Sequence, residues 1–293
     1  MSTFTSADAN ELFRAPPTRF LDTGSSGIAY RRVGAGPDVL FVHGWPVSGA
    51  TFRTLLPYLV DHVTCHLIDL PGTGSSRFDA ATPLSIDHHI ESVRLAIDVL
   101  ELDDVAVVGH DSGGMIARHA VVGDPRVRAM GLIDTEPADG VSWRFKAFLA
   151  QRRLPGFGRM LGWVASKPRL RRNGFVLGDA FVDASRLDGE FDEFFLRPLY
   201  TSSKHLEAGL RILRSFDYRY VRELAAIHPR IDVPVQLVWG EEDVFFPVGH
   251  ARRMVGEFPD ARIDVISNAG LFSHEERPAE VAAALLATLT GSR

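Results

Sequence analysis

The chain has 293 residues, of which 45% are hydrophobic and 24% charged, and a formal charge of -5. That balance describes a folded globular chain long enough for one large core plus an insertion, and excludes a disordered segment. The negative charge and the lack of Lys/Arg runs interleaved with aromatics argue against a nucleic-acid surface, and no apolar run reaches the roughly twenty residues that cross a bilayer.

Residues 1–17 carry no basic start followed by an apolar block, so no secretory signal is expected and they read as an irregular leader. Residues 18–32 read as a hairpin turning at 23–27, where glycine and serine suit a tight bend. Residues 39–42 form a short apolar run ending in His43-Gly44, the pattern of a strand covered on both faces. A second such strand spans 63–70. It holds the single cysteine, Cys65, which has no internal disulfide partner and reads as a buried strand residue in a reducing, cytoplasmic setting. From Ser85 to Leu102, the residues Ile86, Ile90, Val93, Ile97 and Leu100 fall on one helical stripe, with Ser85 as N-cap. A third strand at 105–108, a helix at 115–122 and a fourth strand at 130–133 follow. This alternation predicts an α/β fold with a mostly parallel sheet, helices on both faces and the ligand site at the carboxyl ends of its strands.

Between residues 138 and 221 the strand rhythm stops, and Arg, Phe and Leu recur at helical spacing. The expected organisation is a core of 1–137, an inserted helical cap of 138–221 and a second core segment of 222–293. Strands are expected again at 233–239 and 262–266, with a closing helix over 278–289. The cap carries more basic than acidic residues, which suits either an electropositive face or plain solvated helix surfaces.

The chemistry concentrates in Val107-Val108-Gly109-His110-Asp111-Ser112-Gly113-Gly114, where a strand runs straight into a helix. Such a turn is sharp enough to require small residues two before and two after its tip. Asp111 at the tip satisfies this with Gly109 and Gly113, whereas Ser112 at the tip would put the bulky His110 in the first slot. The expected nucleophile is therefore a carboxylate. A carboxylate can displace an alkoxide or halide from carbon to give an ester on the protein, which water then cleaves with the help of a base.

The Gly-His-Asp-x-Gly-Gly run resembles the nucleophile turn of epoxide hydrolases and of haloalkane or haloacetate dehalogenases, within the α/β-hydrolase superfamily. His43-Gly44-Trp45-Pro46 is similar to that group's oxyanion motif, and Gly240-Glu241-Glu242-Asp243 with Pro247 to its acid loop. The resemblance implies oxyanion donors in the amides of Trp45 and Ser112, a substrate-facing place for His43, and Asp243 as the carboxylate that orients a histidine. Asp134 and Glu136, one strand earlier, are the competing acids. It implies no cofactor, and His88-His89 lacks a third ligand at metal spacing. The expected partner is a small molecule, with a homodimer left open.

The histidine of that group follows a glycine, but after Gly270 this chain has Leu271, and the next histidine is His274. Leucine accepts no proton from water, so either a shifted loop makes His274 the base, or the change traps an ester, or the pocket works without hydrolysis. The resemblance also implies cap tyrosines that protonate an opening epoxide. Leu213 stands at one such place; the cap offers Tyr200, Tyr218 and Tyr220, of which Tyr200 is the chosen candidate. Phe145, Phe148, Trp143 and Trp163 are candidates for an apolar lining. Ser112 stands where haloalkane dehalogenases place a tryptophan, so a dehalogenase is the alternative rather than the main expectation. The other rivals are a triad-degenerate relative catalysing an isomerisation, cyclisation or elimination, and a non-catalytic ligand receptor on the same fold, which would make Asp111 inessential.

Overall fold

A computed structural model of the chain describes residues 3–174 and 176–291. Eight strands form one sheet: β1 (Arg19–Asp22), β2 (Gly27–Gly34), β3 (Asp38–Val42), β4 (Thr64–Asp69), β5 (Val105–His110), β6 (Val127–Ile133), β7 (Val235–Gly240) and β8 (Ala261–Ile266). Their order is β1-β2-β4-β3-β5-β6-β7-β8. β1 and β2 pair antiparallel, as does β2 with β4, and every later pairing is parallel. β4, β5, β6 and β7 are buried along their whole length, which is why they are rich in apolar residues and show no alternation of buried with exposed positions. β8 lies at the edge and alternates exposed with half-buried positions. The α/β-hydrolase architecture expected from the sequence is present.

The helix Ile86–Val99 starts at Ser85, whose hydroxyl accepts from the amide of His88, and it buries Ile86, Ile90, Val93 and Ile97. The leader differs from its expectation. Ser6–Arg14 is a helix, because Thr5 and Asp8 form a reciprocal capping box and Phe13 is buried beneath it. Between β6 and β7 the described residues form only helices and turns, beginning with the helix Trp143–Gln151 and ending with the turn His228–Arg230. Cys65 is buried in β4, and burial pushes its thiol up to about 12, so it carries no reactive thiolate. Among the described residues no helix is long and apolar enough to cross a membrane.

Candidate active site

β5 ends at His110 and the helix Ser112–Val121 begins two residues later. Asp111 makes the whole turn, at φ 52° and ψ -138°. A non-glycine residue with positive φ is strained, and such strain persists only where the surroundings enforce it. Here its amide points back to the carbonyl of Asp134 at 3.1 Å, and its own carbonyl accepts from the Thr135 hydroxyl at 2.7 Å. The flanking glycines are steric necessities. A methyl on Gly109 would lie 2.5 Å from the α-carbon of Gly114, and one on Gly113 would lie 2.2 Å from the carbonyl oxygen of Val42.

The loop after β3 approaches the same carboxylate. The amide of Trp45 donates to Asp111 Oδ2 at 2.9 Å, and the Ser112 hydroxyl donates to the same oxygen at 3.3 Å. The Ser112 amide is a further donor to the carboxyl group. Oδ2 is thus held by the Trp45 amide and the Ser112 hydroxyl. Burial pushes the Asp111 carboxyl well above the usual carboxylate range, the charge of Glu136 pushes it further, and the donors from Ser112 and Trp45 pull it back.

Asp111 faces a cavity with about 100 Å³ of free space, roofed by Phe145, Phe148, Leu213 and Phe216 from the inserted helices and walled by Phe246 and Leu271 from the core. The side chains with ionisable or hydroxyl groups on its wall are Asp111, Ser112 and Glu136. Such a wall favours an apolar ligand handled by a few polar groups. Glu136, named from the sequence only as a competing acid, is fully buried there at the end of β6. Its signal was present in the chain as a carboxylate three residues past a buried strand.

The acid loop after β7 is formed as expected, but its partner is missing. Asp243 Oδ1 accepts from the amides of Phe245 at 2.7 Å and Phe246 at 2.9 Å, while the buried Oδ2 has no hydrogen-bond partner. Asp134, held at φ 38°, accepts from the Gly240 amide at 2.7 Å and from the amide of Ser273 at 3.3 Å. It is therefore a brace between the ends of β6 and β7 and the helix Ser273–Glu276, and it is absent from the cavity wall. Leu271 occupies the cavity wall, and its carbonyl accepts from His110 Nε2 at 2.9 Å.

Burial raises the Asp243 carboxyl to about 7. The folded chain then keeps this proton across a window, from about 4 to about 7, in which the unfolded chain has lost it, so this group's contribution to stability falls as pH rises through that window. Asp243→Asn removes the dependence. The stability of the variant relative to the parent is expected to rise between pH 4 and pH 7 by on the order of 2–4 kcal/mol and to be level outside it, as read by urea denaturation at a series of pH values. A difference flat across the window would show that Asp243 ionises freely.

Several expected site residues lie elsewhere. His274 is fully buried outside the cavity wall, with Nε2 at 2.8 Å from the Thr51 hydroxyl and its ring 4.3 Å from that of His110. Burial holds it well below the usual histidine range, which also weakens it as a base. The short helix Ser273–Glu276 turns it toward the core, so the shifted-loop expectation does not match the geometry. The Tyr200 hydroxyl donates to Asp192 Oδ2 at 3.0 Å and faces away from Asp111's cavity. His43 is buried beneath the oxyanion loop, where Nδ1 donates to the Gly44 carbonyl at 2.8 Å and Nε2 accepts from the Leu70 amide at 2.9 Å. It shapes the loop and does not line the cavity. Phe145 and Phe148 line it, but Trp143 and Trp163 are 68% and 57% exposed. Among the described residues no cluster of His, Cys, Asp and Glu could hold a metal ion.

Comparison with known proteins agrees with this architecture. A pimeloyl-[acyl-carrier protein] methyl ester esterase of Xanthomonas campestris pv. campestris is 36% identical over 105 residues, which is 36% of this chain and 39% of that protein. The chain thus spans about two fifths of the length of the curated relatives it first matches. An alpha/beta hydrolase fold protein from Burkholderia ambifaria superposes with a TM-score of 0.77 at 22% identity, covering 93% of this chain and 98% of that one. An epoxide hydrolase without ligand superposes with the same TM-score of 0.77 at 20% identity, over 92% and 96% of the two chains. Residues 37–278 match the alpha/beta hydrolase fold family, and the chain belongs to it.

Proposed function

We propose that this hydrolase acts on a small or medium apolar electrophile, an epoxide in the first instance, by attack of Asp111 on carbon to form an alkyl ester. The observation that carries the reading is the Asp111 carboxylate at the tip of the strained turn, one oxygen held by the Trp45 amide at 2.9 Å, against an apolar cavity. Attack by the other oxygen leaves the held oxygen as the ester carbonyl, already among donors suited to the oxyanion that forms when water adds. The inserted helices, residues 138–221, act as the cap that excludes bulk water from the ester. The small-molecule substrate expected from the sequence fits this cavity. A halide leaving group is less favoured, since Ser112 follows the nucleophile.

The reading is tested by turnover of an epoxide panel in oxygen-18 water under single-turnover conditions. One label atom is expected in the peptide that contains Asp111, because water adds to its ester carbon. Label appearing only in the diol would mean direct attack of water on the substrate, and the covalent route would be abandoned.

Leu271 favours a second reading. With no histidine among the described residues of the cavity wall, the same carboxylate could move a proton within a bound ligand and release an isomer, a cyclised product or an elimination product. That reading requires neither adduct nor label on Asp111.

A further inference from the structure

Epoxide opening through Asp111 leaves two proton-transfer roles without a histidine or tyrosine in reach of the cavity, because His274 and Tyr200 both face other partners. One further carboxyl group lies on the wall. Glu136 is fully buried, lines the cavity together with Asp111, and its Oε1 has no hydrogen-bond partner. An unpartnered buried carboxylate oxygen is costly, and the cost is smallest when the carboxyl carries a proton.

The local contacts agree. The Thr135 hydroxyl lies 2.7 Å from the Asp111 carbonyl oxygen, 3.1 Å from Glu136 Oε2 and 2.9 Å from the donating Nη2 of Arg118. A hydroxyl has one hydrogen. With it directed to the closer Asp111 carbonyl, the approach to Glu136 Oε2 is satisfied by a proton on the glutamate. Arg118 also donates from Nη2 to the Glu136 backbone carbonyl at 2.8 Å, which fixes the residue at the end of β6. Burial raises the Glu136 carboxyl, with Arg118 and the Thr135 contact opposing. Burial raises both cavity carboxyls, but Asp111 Oδ2 accepts from the Trp45 amide while Glu136 Oε1 has no partner, so the geometry favours the anion on Asp111.

We propose that Glu136 is a catalytic residue of this pocket, protonating an apolar epoxide as it opens and then activating the water that cleaves the ester. The proposal rests on Asp111 being the nucleophile. In the first step an Asp111 oxygen bonds to an epoxide carbon, the carbon–oxygen bond of the ring breaks, and the departing oxygen takes the Glu136 proton. This leaves a hydroxyalkyl ester and an ionised Glu136. In the second step Glu136 takes a proton from water as the hydroxide adds to the Asp111 ester carbon. The resulting oxyanion collapses and expels the diol as an alkoxide, which takes the proton left on the Asp111 carboxyl. Both carboxyls return to their starting states. One group acting first as acid and then as base replaces the separate tyrosine and histidine expected from the sequence.

The test pairs two electrophiles in rapid acid-quench experiments read by intact and peptide mass. Styrene oxide needs a proton on its leaving oxygen; benzyl bromide releases bromide and needs none. Glu136→Gln is expected to form the Asp111 adduct with styrene oxide about 10²–10⁴-fold more slowly than the parent, and with benzyl bromide within a few-fold of it. The benzyl adduct should also persist at least about 100-fold longer in the variant. The benzyl bromide arm shows that the variant keeps a formed site. Glu136→Asp, which retains a carboxyl on a shorter stem, is expected to recover part of the styrene oxide rate. If Glu136→Gln opens styrene oxide and loses the benzyl ester as fast as the parent, the role of Glu136 is overturned while Asp111 stands. If the slowing is equal for both electrophiles, Glu136 supports the site structurally and the proposal is likewise overturned. If the parent gives no adduct on Asp111 with either electrophile, the nucleophile reading itself has failed.

Discussion

Asp111→Asn is expected to lower epoxide turnover by about 10⁴-fold or more, the scale seen when a covalent nucleophile is removed. The amide is nearly the same size and can still accept from the Trp45 amide, which approaches Asp111 Oδ2 at 2.9 Å. It supplies no anionic oxygen to displace an alkoxide. The fold should survive, and the variant should be as stable as the parent or more so, because it no longer buries a carboxyl whose ionisation is opposed by burial and by Glu136. Steady-state rates measured beside a denaturation curve separate the two effects, with peptide mass excluding reversion of the asparagine to aspartate. A variant that is equally stable and equally active would remove Asp111 from the chemistry.

Gly44→Ala is expected to lower turnover by about 10²–10³-fold, the effect of losing one oxyanion donor. A methyl at this position would lie 2.3 Å from Asp111 Oδ2 and 2.7 Å from its β-carbon. Neither atom can retreat easily, since the Asp111 backbone is fixed by Asp134 and Thr135. The carboxylate must swing off the Trp45 amide, and the hole opens. The kinetic signature is a fall in kcat with a smaller change in KM, because the apolar wall that binds substrate is untouched. Unchanged kcat would mean that the Trp45 amide does not stabilise the transition state.

The sheet was legible because its inner strands are buried on both faces and appear in the chain as short apolar-rich runs bounded by turns. The sharp turn after β5 was legible for a related reason: backbone crowding at Gly109 and Gly113 excludes any side chain, and the spacing of those glycines puts Asp111 at its tip. The amides of Trp45 and Ser112 were named from the family resemblance, and that of Trp45 does lie 2.9 Å from Asp111 Oδ2. What the sequence did not convey was the direction of individual side chains. His274 is only three positions past Leu271, yet a short helix turns it onto Thr51 and His110. Tyr200 lies in the inserted helices as expected, but its hydroxyl is taken by Asp192. His43 follows a strand end, where substrate-facing residues gather, but its two ring nitrogens serve the loop beneath. Trp143 and Trp163 sit at helical spacing with aromatics that do reach the cavity, but on the outer helix faces. Glu136 was visible only as a rival for Asp243, because no local pattern distinguishes a carboxylate that faces a cavity from one that braces a loop, as Asp134 does.

These particulars combine into one chemical picture. Where the resemblance implies a histidine the chain has Leu271, and the buried Oδ2 of Asp243 and Nδ1 of His110 have no hydrogen-bond partner. The Asp111 carboxyl, held by the Trp45 amide and the Ser112 hydroxyl, stands against an apolar space, as the proposed nucleophile requires.

The most direct test mixes the parent protein with excess styrene oxide, quenches in acid within milliseconds and maps the peptides by mass. A hydroxyalkyl ester on Asp111 that forms and decays at the rate of diol production is the predicted result. Diol released with Asp111 unmodified at every quench time, or an adduct on any other residue, would contradict the account.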